Sequence, residues 1–450
     1  MAYEFLKRFL KTHPLMGIEA EMPLLGNCAG TRNPVWIKEG PLYEIFVRQF
    51  SKAGTLRAVQ EKLPYLKNLG IKTIWLMPIH PIGQKDRKGQ AGSPYAIADY
   101  MEIDPALGTK DDFRSLITTV HQLDMRLILD LVINHTANDH PWHQQHPEFY
   151  LYPHKNDKVR KVAEWSDITD LNYDHKVLRT KVAEVVHYWV ETFDIDGYRC
   201  DVAGLVPADF WKAVVNDLYK VKPDLFMLAE WQSSRMHATA FHAYYDWVLY
   251  WLMRDIRKNK RKAADILTWL NLRQKLFPAQ STALQFTENH DYPRTARIFG
   301  NQAFQPFAAL TFLLPGLPLL YAGQEYGMLE MPSLFEKQPL DWQQVNEQVF
   351  NFYKKIIDLY RHQPPLREGN VALLDTDNKY SLILKIGKRN KYLYALLNFS
   401  SQKQTLHCAE LKDMVGTDLL SGQLFDGSDI HLTAYQVLIS DLVEDDSLMI

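Results

Sequence analysis

At 450 residues the chain exceeds one ordinary domain and suits a large barrel carrying extra modules. A net charge of −2 excludes charge-driven partnership with nucleic acid or an anionic membrane, and 46% apolar with 23% charged residues is a globular composition rather than a disordered one. The three cysteines, Cys28, Cys200 and Cys408, are widely spaced and odd in number, which argues against a disulfide framework.

The N-terminal stretch alternates Leu and Phe with Glu4, Lys7, Arg8, Lys11, Glu19 and Glu21, so the charges interrupt any signal-peptide core. Residues 1–35 show no clear periodicity and receive no structural assignment. From about residue 41 strand-like runs alternate with amphipathic ones, the pattern of a parallel α/β fold. A first strand is predicted at 42–48. Leu56, Val59, Leu63, Leu66 and Leu69 then recur at helical spacing, with Gly70 as the stop. A second strand falls at 73–77, and Thr109, with Asp111 and Asp112 behind it, reads as a capped helix start. Further strands are predicted at 127–133, 197–201, 225–229, 245–249, 284–288 and 317–321. Eight such units close most economically as a (β/α)8 barrel.

One connection is far too long for a βα loop: about forty residues rich in His, Pro, Trp and Tyr separate the third strand from a helix starting near Asp174. Residues 137–173 are therefore expected to form a small inserted domain at one end of the barrel. The barrel is assigned 36–136 and 174–365, ending after a helix at 345–360 with Pro364 and Pro365. Alternating apolar and polar runs over 366–450 predict a small antiparallel β-sandwich. The longest apolar run, 307–323, is broken by Pro315, Gly316 and Pro318 and is too short to span a bilayer easily. A soluble, cytoplasmic protein is the expectation.

Four strand-like runs end in chemistry-bearing groups: Asp130-Leu-Val-Ile-Asn-His135, Gly197-Tyr-Arg-Cys-Asp201, Phe226-Met-Leu-Ala-Glu230 and Phe286-Thr-Glu-Asn-His-Asp291. Buried parallel strands deliver such ends to one shared face, and several acids converging there suit cleavage of glycosidic bonds. Strand alternation puts Arg199 and Asp201 on one side and Cys200 on the other. A guanidinium beside a carboxylate orients it and keeps it ionised, as a nucleophile requires; a plain buried Arg–Asp pair is the alternative. Glu230, ending an apolar strand and followed by Trp231, suits a general acid that burial keeps protonated; a glutamate at a helix start is the alternative. Asp291 beside Asn289 and His290 offers a third carboxylate for a developing positive charge, although Asn-His-Asp clusters also bind metals. Asp130 lies deeper in its strand and is expected to link strands, while His135 at the strand end is expected to meet substrate.

In this order the four stretches resemble the four signature regions of the α-amylase family, glycoside hydrolase family 13. Asp170-Leu-Asn172 resembles the family's fifth region, and Ser93 to Tyr100 followed by Ile103-Asp-Pro105 resembles the segment after its second strand. The resemblance spans roughly 40–365. It implies a (β/α)8 barrel with an inserted domain B and a C-terminal β domain. It implies Asp201 as nucleophile, Glu230 as acid/base and Asp291 as transition-state stabiliser. Arg199, His135 and His290 would hold the sugar, with Tyr95 stacking under it, and Trp231 beside the acid is expected to be a further substrate contact. The implied activity is a retaining hydrolysis of α-1,4 bonds in maltodextrin or starch-like α-glucans. A family transglycosylase, an α-1,6-glucosidase-type enzyme and a non-catalytic carbohydrate-binding relative are the alternatives.

Two departures stand out. The run Asp201-Val-Ala-Gly-Leu205 lacks the Lys-His of the best-known amylases, so the calcium site that Asn134 would join has lost a partner. Gly92-Ser-Pro94 replaces a common His-Gly before the stacking tyrosine. No cofactor is expected, with a non-standard calcium site among Asp139, Asp157, Asp167 and Asp170 left open.

Overall fold

The computed structural model describes residues 2–13, 17–19, 21–151, 165–376, 378–389 and 391–444. Eight parallel strands close a barrel: β1 Leu42–Ile45, β2 Thr73–Leu76, β3 Arg126–Leu131, β4 Gly197–Cys200, β5 Phe226–Ala229, β6 Ala243–Tyr245, β7 Thr282–Gln285 and β8 Leu317–Tyr321. Each pairs with the next in chain order, and β8 returns to β1 with Leu319 opposite Leu42. The strands are buried on both faces, as helices outside and side chains within require.

Local signals account for the surrounding helices. Thr55 caps helix Leu56–Leu69 by accepting from the Ala58 N–H at 3.3 Å, and Gly70 ends it in the left-handed region at φ 102°. All five apolar positions predicted for that helix are buried against the barrel, each fully buried leucine contributing roughly 1.5–3 kcal/mol. Thr109 and Asp112 form a reciprocal capping box at the start of Lys110–Gln122.

Several boundaries differ from the sequence reading. The first strand stops at Ile45, and Val47–Phe50 turns into a short helix that carries Arg48. The sixth strand lies at Ala243–Tyr245 rather than 245–249, because Asp246 caps helix Trp247–Arg257 by accepting from the Leu249 N–H at 3.2 Å. Asp246 also accepts from Trp269 at 2.8 Å and Arg273 at 2.7 Å, fastening that turn to helix Asp265–Leu276. The seventh strand ends at Gln285, three residues early. Pro364 and Pro365 do not simply end the barrel but open the short helix Pro364–Glu368, where a missing N–H is no loss. Residues 1–35, left unassigned above, include an α-helix, Ala2–Thr12, that buries Leu6 and Phe9 at i, i+3 spacing.

The insertion is entered through a short strand, His135–Ala137, that pairs antiparallel with Ile168–Asp170. Asp157 lies outside the described residues. The C-terminal region holds a four-stranded antiparallel sheet of Asn370–Leu374, Ser381–Lys388, Lys391–Asn398 and Val437–Ser440. Strand alternation splits its second strand: Leu382, Leu384 and Ile386 join the main core, while Ile383 packs with Leu406, Phe425 and Ile430 from the smaller sheets.

Candidate active site

Asp130 and Arg199 are direct register partners on β3 and β4, so both side chains leave the same face of the sheet. The ladder continues one step beyond the strands. Asp201 donates its N–H to Leu131 at 3.0 Å, and Glu230 donates its N–H to Cys200 at 3.0 Å. The acids ending β4 and β5 are thereby held side by side at the C-terminal mouth.

Arg199, with 0% exposure, is the hub. Its Nη1 donates to Asp130 Oδ1 at 2.9 Å and to Asp201 Oδ1 at 2.8 Å, its Nη2 lies 2.9 Å from Glu230 Oε1, and its Nε donates to the Tyr245 hydroxyl at 3.2 Å. The guanidinium carbon sits 5.1 Å from the Trp75 ring centroid and 5.7 Å from that of Tyr95. Burial alone would lower its pKa; Asp130 and Glu230 more than offset this and hold it above the ordinary value. One planar fork thus serves three carboxyls in a fixed geometry that a flexible ammonium does not impose.

Glu230 is nearly covered, with 12% of its side chain exposed. Burial pushes its carboxyl well above the usual range, Arg199 opposes that, and the charges of Asp201 and Asp291 reinforce it. Its Oε2 accepts from the Val202 N–H at 2.8 Å. Val202 points that N–H by adopting φ 36°, a left-handed conformation that costs a β-branched residue about 1–3 kcal/mol. Nothing in the sequence signals this kink.

Asp291 is the open edge, its side chain 41% exposed. Asn289 shapes the turn by accepting from the N–H groups of Asp291 at 2.8 Å and Tyr292 at 3.1 Å. The His290 Nε2 lies 3.2 Å from Asp291 Oδ2 and 2.7 Å from the Tyr95 hydroxyl, and its Nδ1 is paired with Glu44. Burial would lower the imidazole pKa; Asp291 and Glu44 overcome it and lift it to about 9. Tyr95 stacks on this ring at 5.5 Å and donates to Asp130 Oδ2 at 3.3 Å. Trp75 donates to the same oxygen at 3.2 Å, so Asp130 is the buried strand-linking group anticipated above.

Seven of the residues singled out from sequence, Asp130 among them, are therefore joined in one network: Tyr95, Asp130, Arg199, Asp201, Glu230, His290 and Asp291. His135 stands apart in its contacts, its ring against Trp165 and its Nδ1 3.3 Å from Asn134. Trp231 is half-buried over Gly204, where a Cβ would come within 2.0 Å of the indole. Glu44, fully buried on β1, was missed; an acid inside an otherwise apolar strand was the available signal.

Of the carboxylates considered for calcium, the three that are described each have a separate partner. Asp139 accepts from the N–H groups of Gln84 at 2.7 Å and Lys85 at 3.1 Å, Asp167 pairs with Lys88 at 3.0 Å, and Asp170 accepts from Asn134 at 3.2 Å. Among the described residues no three His, Cys, Asp or Glu side chains come together to hold a metal, and calcium wants about six to eight oxygens.

A closed parallel barrel with acids from separate strand ends around one buried arginine defines a (β/α)8 glycoside hydrolase. The catalytic-domain pattern of the α-amylases matches residues 31–358, and the chain belongs to that family. It is 30% identical over 387 residues to Alpha-amylase 3 of Dictyoglomus thermophilum, covering 77% of this chain and 75% of that one. A noncanonic maltogenic α-amylase, AmyB from Thermotoga neapolitana, superposes with a TM-score of 0.83 at 30% identity, covering 91% of this chain and 99% of its own. An α-amylase from Lactobacillus plantarum does so with a TM-score of 0.82 at 29% identity, covering 90% and 99%. The protein is accordingly an α-glucan hydrolase. Among the described residues no helix is long and apolar enough to cross a membrane.

Proposed function

We propose that this enzyme hydrolyses α-1,4 bonds of maltodextrins by double displacement, with Asp201 as nucleophile, Glu230 as acid/base and Asp291 as stabiliser of the positive charge on the ring. The observation that carries this reading is the Arg199 fork, which contacts Asp201 at 2.8 Å and Glu230 at 2.9 Å at once. Two carboxyls sharing one guanidinium suit the roughly 5–5.5 Å separation of retaining enzymes.

In the first step an Asp201 oxygen bonds to the anomeric carbon while Glu230 gives its proton to the departing glycosidic oxygen. Burial supplies that proton by keeping the Glu230 carboxyl neutral. Once Asp201 is tied up as an ester its negative charge is gone, and with it one of the influences holding Glu230 protonated. The same residue is then better suited to take a proton from the water that breaks the ester. The His290 imidazolium, held between Glu44 and Asp291, presents charge toward sugar hydroxyls, and Tyr95 offers a face to the ring.

The test is proton NMR of the first product from maltoheptaose, with isomaltotriose alongside. The α-anomer should appear first, and isomaltotriose should be cut poorly. Initial β-anomer would remove the double displacement, and preference for isomaltotriose would remove the α-1,4 assignment.

A pH dependence follows. A general acid works only while protonated, and the Glu230 carboxyl sits above its ordinary range. kcat/KM for maltopentaose should therefore hold through neutral pH and fall on the alkaline side as that proton is lost. α-Maltosyl fluoride, whose leaving group needs no proton, should lack this limb up to the region near 9 where His290 discharges. Identical alkaline limbs for the two substrates would take the acid role away from Glu230.

A further inference from the structure

No motif pointed to the N-terminal segment, yet it is built into the mouth of the barrel. The Gly17 carbonyl accepts from the Gln232 N–H at 2.7 Å, and the Gln232 carbonyl accepts from the Glu19 N–H at 3.2 Å. Ile18 and Gln232 form a parallel bridge only two residues beyond Glu230. Further on, the Ser234 hydroxyl donates to the Pro23 carbonyl at 3.0 Å, and Leu25 and Gly26 donate to the end of helix Asp265–Leu276.

Close approach explains the glycine at the start of this bridge. Gly17 has φ 97°, and a Cβ there would lie 2.7 Å from the Trp247 ring and 3.6 Å from that of Trp231. The Trp231 indole also covers Gly204, three residues past Asp201, where a side chain would collide with it. Trp231 is thus seated between the segment and the turn that follows the candidate nucleophile.

A second contact reaches the third acid. The N-terminal helix buries Phe9, whose ring lies 4.6 Å from His13. His13 in turn lies 5.1 Å from Trp251, with its Nε2 3.5 Å from Asp255. Trp251 meets Tyr292 edge-on at 6.2 Å, and Tyr292 is the neighbour of Asp291.

The side of the cleft follows from the chemistry assigned above. A general acid must face the oxygen that leaves, so the residues continuing from Glu230 border the departing sugar. We propose that the N-terminal segment is a positioning element of the leaving-group side: its bridge at Gly17–Glu19 seats Trp231, and Trp231 supports the sugar that departs from, or arrives at, Glu230. This rests on the reading of Glu230 as acid/base.

Two substrates separate positioning from fold support. Maltopentaose places sugars on the leaving-group side; α-maltosyl fluoride places only fluoride there. Glu19→Pro removes the N–H that bonds Gln232, and Gly17→Val forces a branched side chain against Trp247, both in the full chain. In these variants kcat/KM on maltopentaose should fall about tenfold or more, while that on α-maltosyl fluoride stays within about twofold. Transfer to added maltose, which enters from the same side, should fall with the former. Trp231→Ala should reproduce the maltopentaose loss and covers the case in which a segment variant fails to fold. Equal losses on both substrates, or none on either, would overturn the proposal, as would a Trp231→Ala enzyme that handles maltopentaose normally. A wild-type enzyme that cleaves neither substrate would instead overturn the functional assignment beneath it.

Discussion

Asp201→Asn should yield a folded protein whose activity on maltodextrins is down by about four orders of magnitude or more, since an amide oxygen cannot form the glycosyl ester. The substitution preserves volume, and Arg199 keeps Asp130 at 2.9 Å as its partner across the sheet. Thermal melting should therefore move by a few degrees at most while turnover collapses. That split is what separates a reacting group from a structural partner of the arginine. Mass spectrometry with α-maltosyl fluoride as the probe adds a direct readout: any covalent sugar should map to Asp201 in the parent enzyme and be missing from the variant. Near-normal turnover in Asp201→Asn, with contaminating activity excluded, would end the assignment.

The parts of the site legible in the sequence were those where an apolar run stops at a polar group. Asp201 and Glu230 extend the barrel ladder by one residue, so the strand pattern itself carries them to the mouth. Strand alternation was enough to put Arg199 beside Asp201, and depth in the strand was enough to separate Asp130 from the acids at the rim. Other features do not follow from the strand pattern. Trp247 to Leu249 reads as strand by composition, but Asp246 caps it into a helix, a local signal that the apolar run obscured. The left-handed turn at Val202 contradicts its residue type, and the barrel alone imposes it. Gly17 and Gly204 are ordinary glycines until Trp231 and Trp247 come to rest against them. Among its described side chains the helix Ala2–Thr12 fully buries Leu6 and Phe9, too few for a periodic signal. Glu44 looked like one acid in a strand; its meaning comes from His290, which lies far along the chain.

The largest effect on stability should come from Arg199→Met. The guanidinium has no exposed side-chain surface and is shared by Asp130 at 2.9 Å, Asp201 at 2.8 Å and Glu230 at 2.9 Å. Removing one partner of a buried charge pair typically costs about 3–5 kcal/mol, because the remaining charge has neither water nor a counterion. Here three carboxyls are stranded, with Val202, Trp75 and Tyr95 left as neutral donors. The sign of the pH dependence identifies the cause. Burial already places the Asp130 and Glu230 carboxyls above their unfolded values, and loss of Arg199, which lowers both, raises them further. A carboxyl raised on folding favours the native state while protonated and loses that support as pH rises through its folded value. The urea midpoint of Arg199→Met should therefore fall furthest behind the parent enzyme at neutral and alkaline pH and recover toward it in mild acid. A mere cavity beside Trp75 would give a deficit independent of pH. Equal midpoints at pH 7, or a deficit that grows in acid, would mean that Arg199 is not the counterion on which the three carboxyls depend.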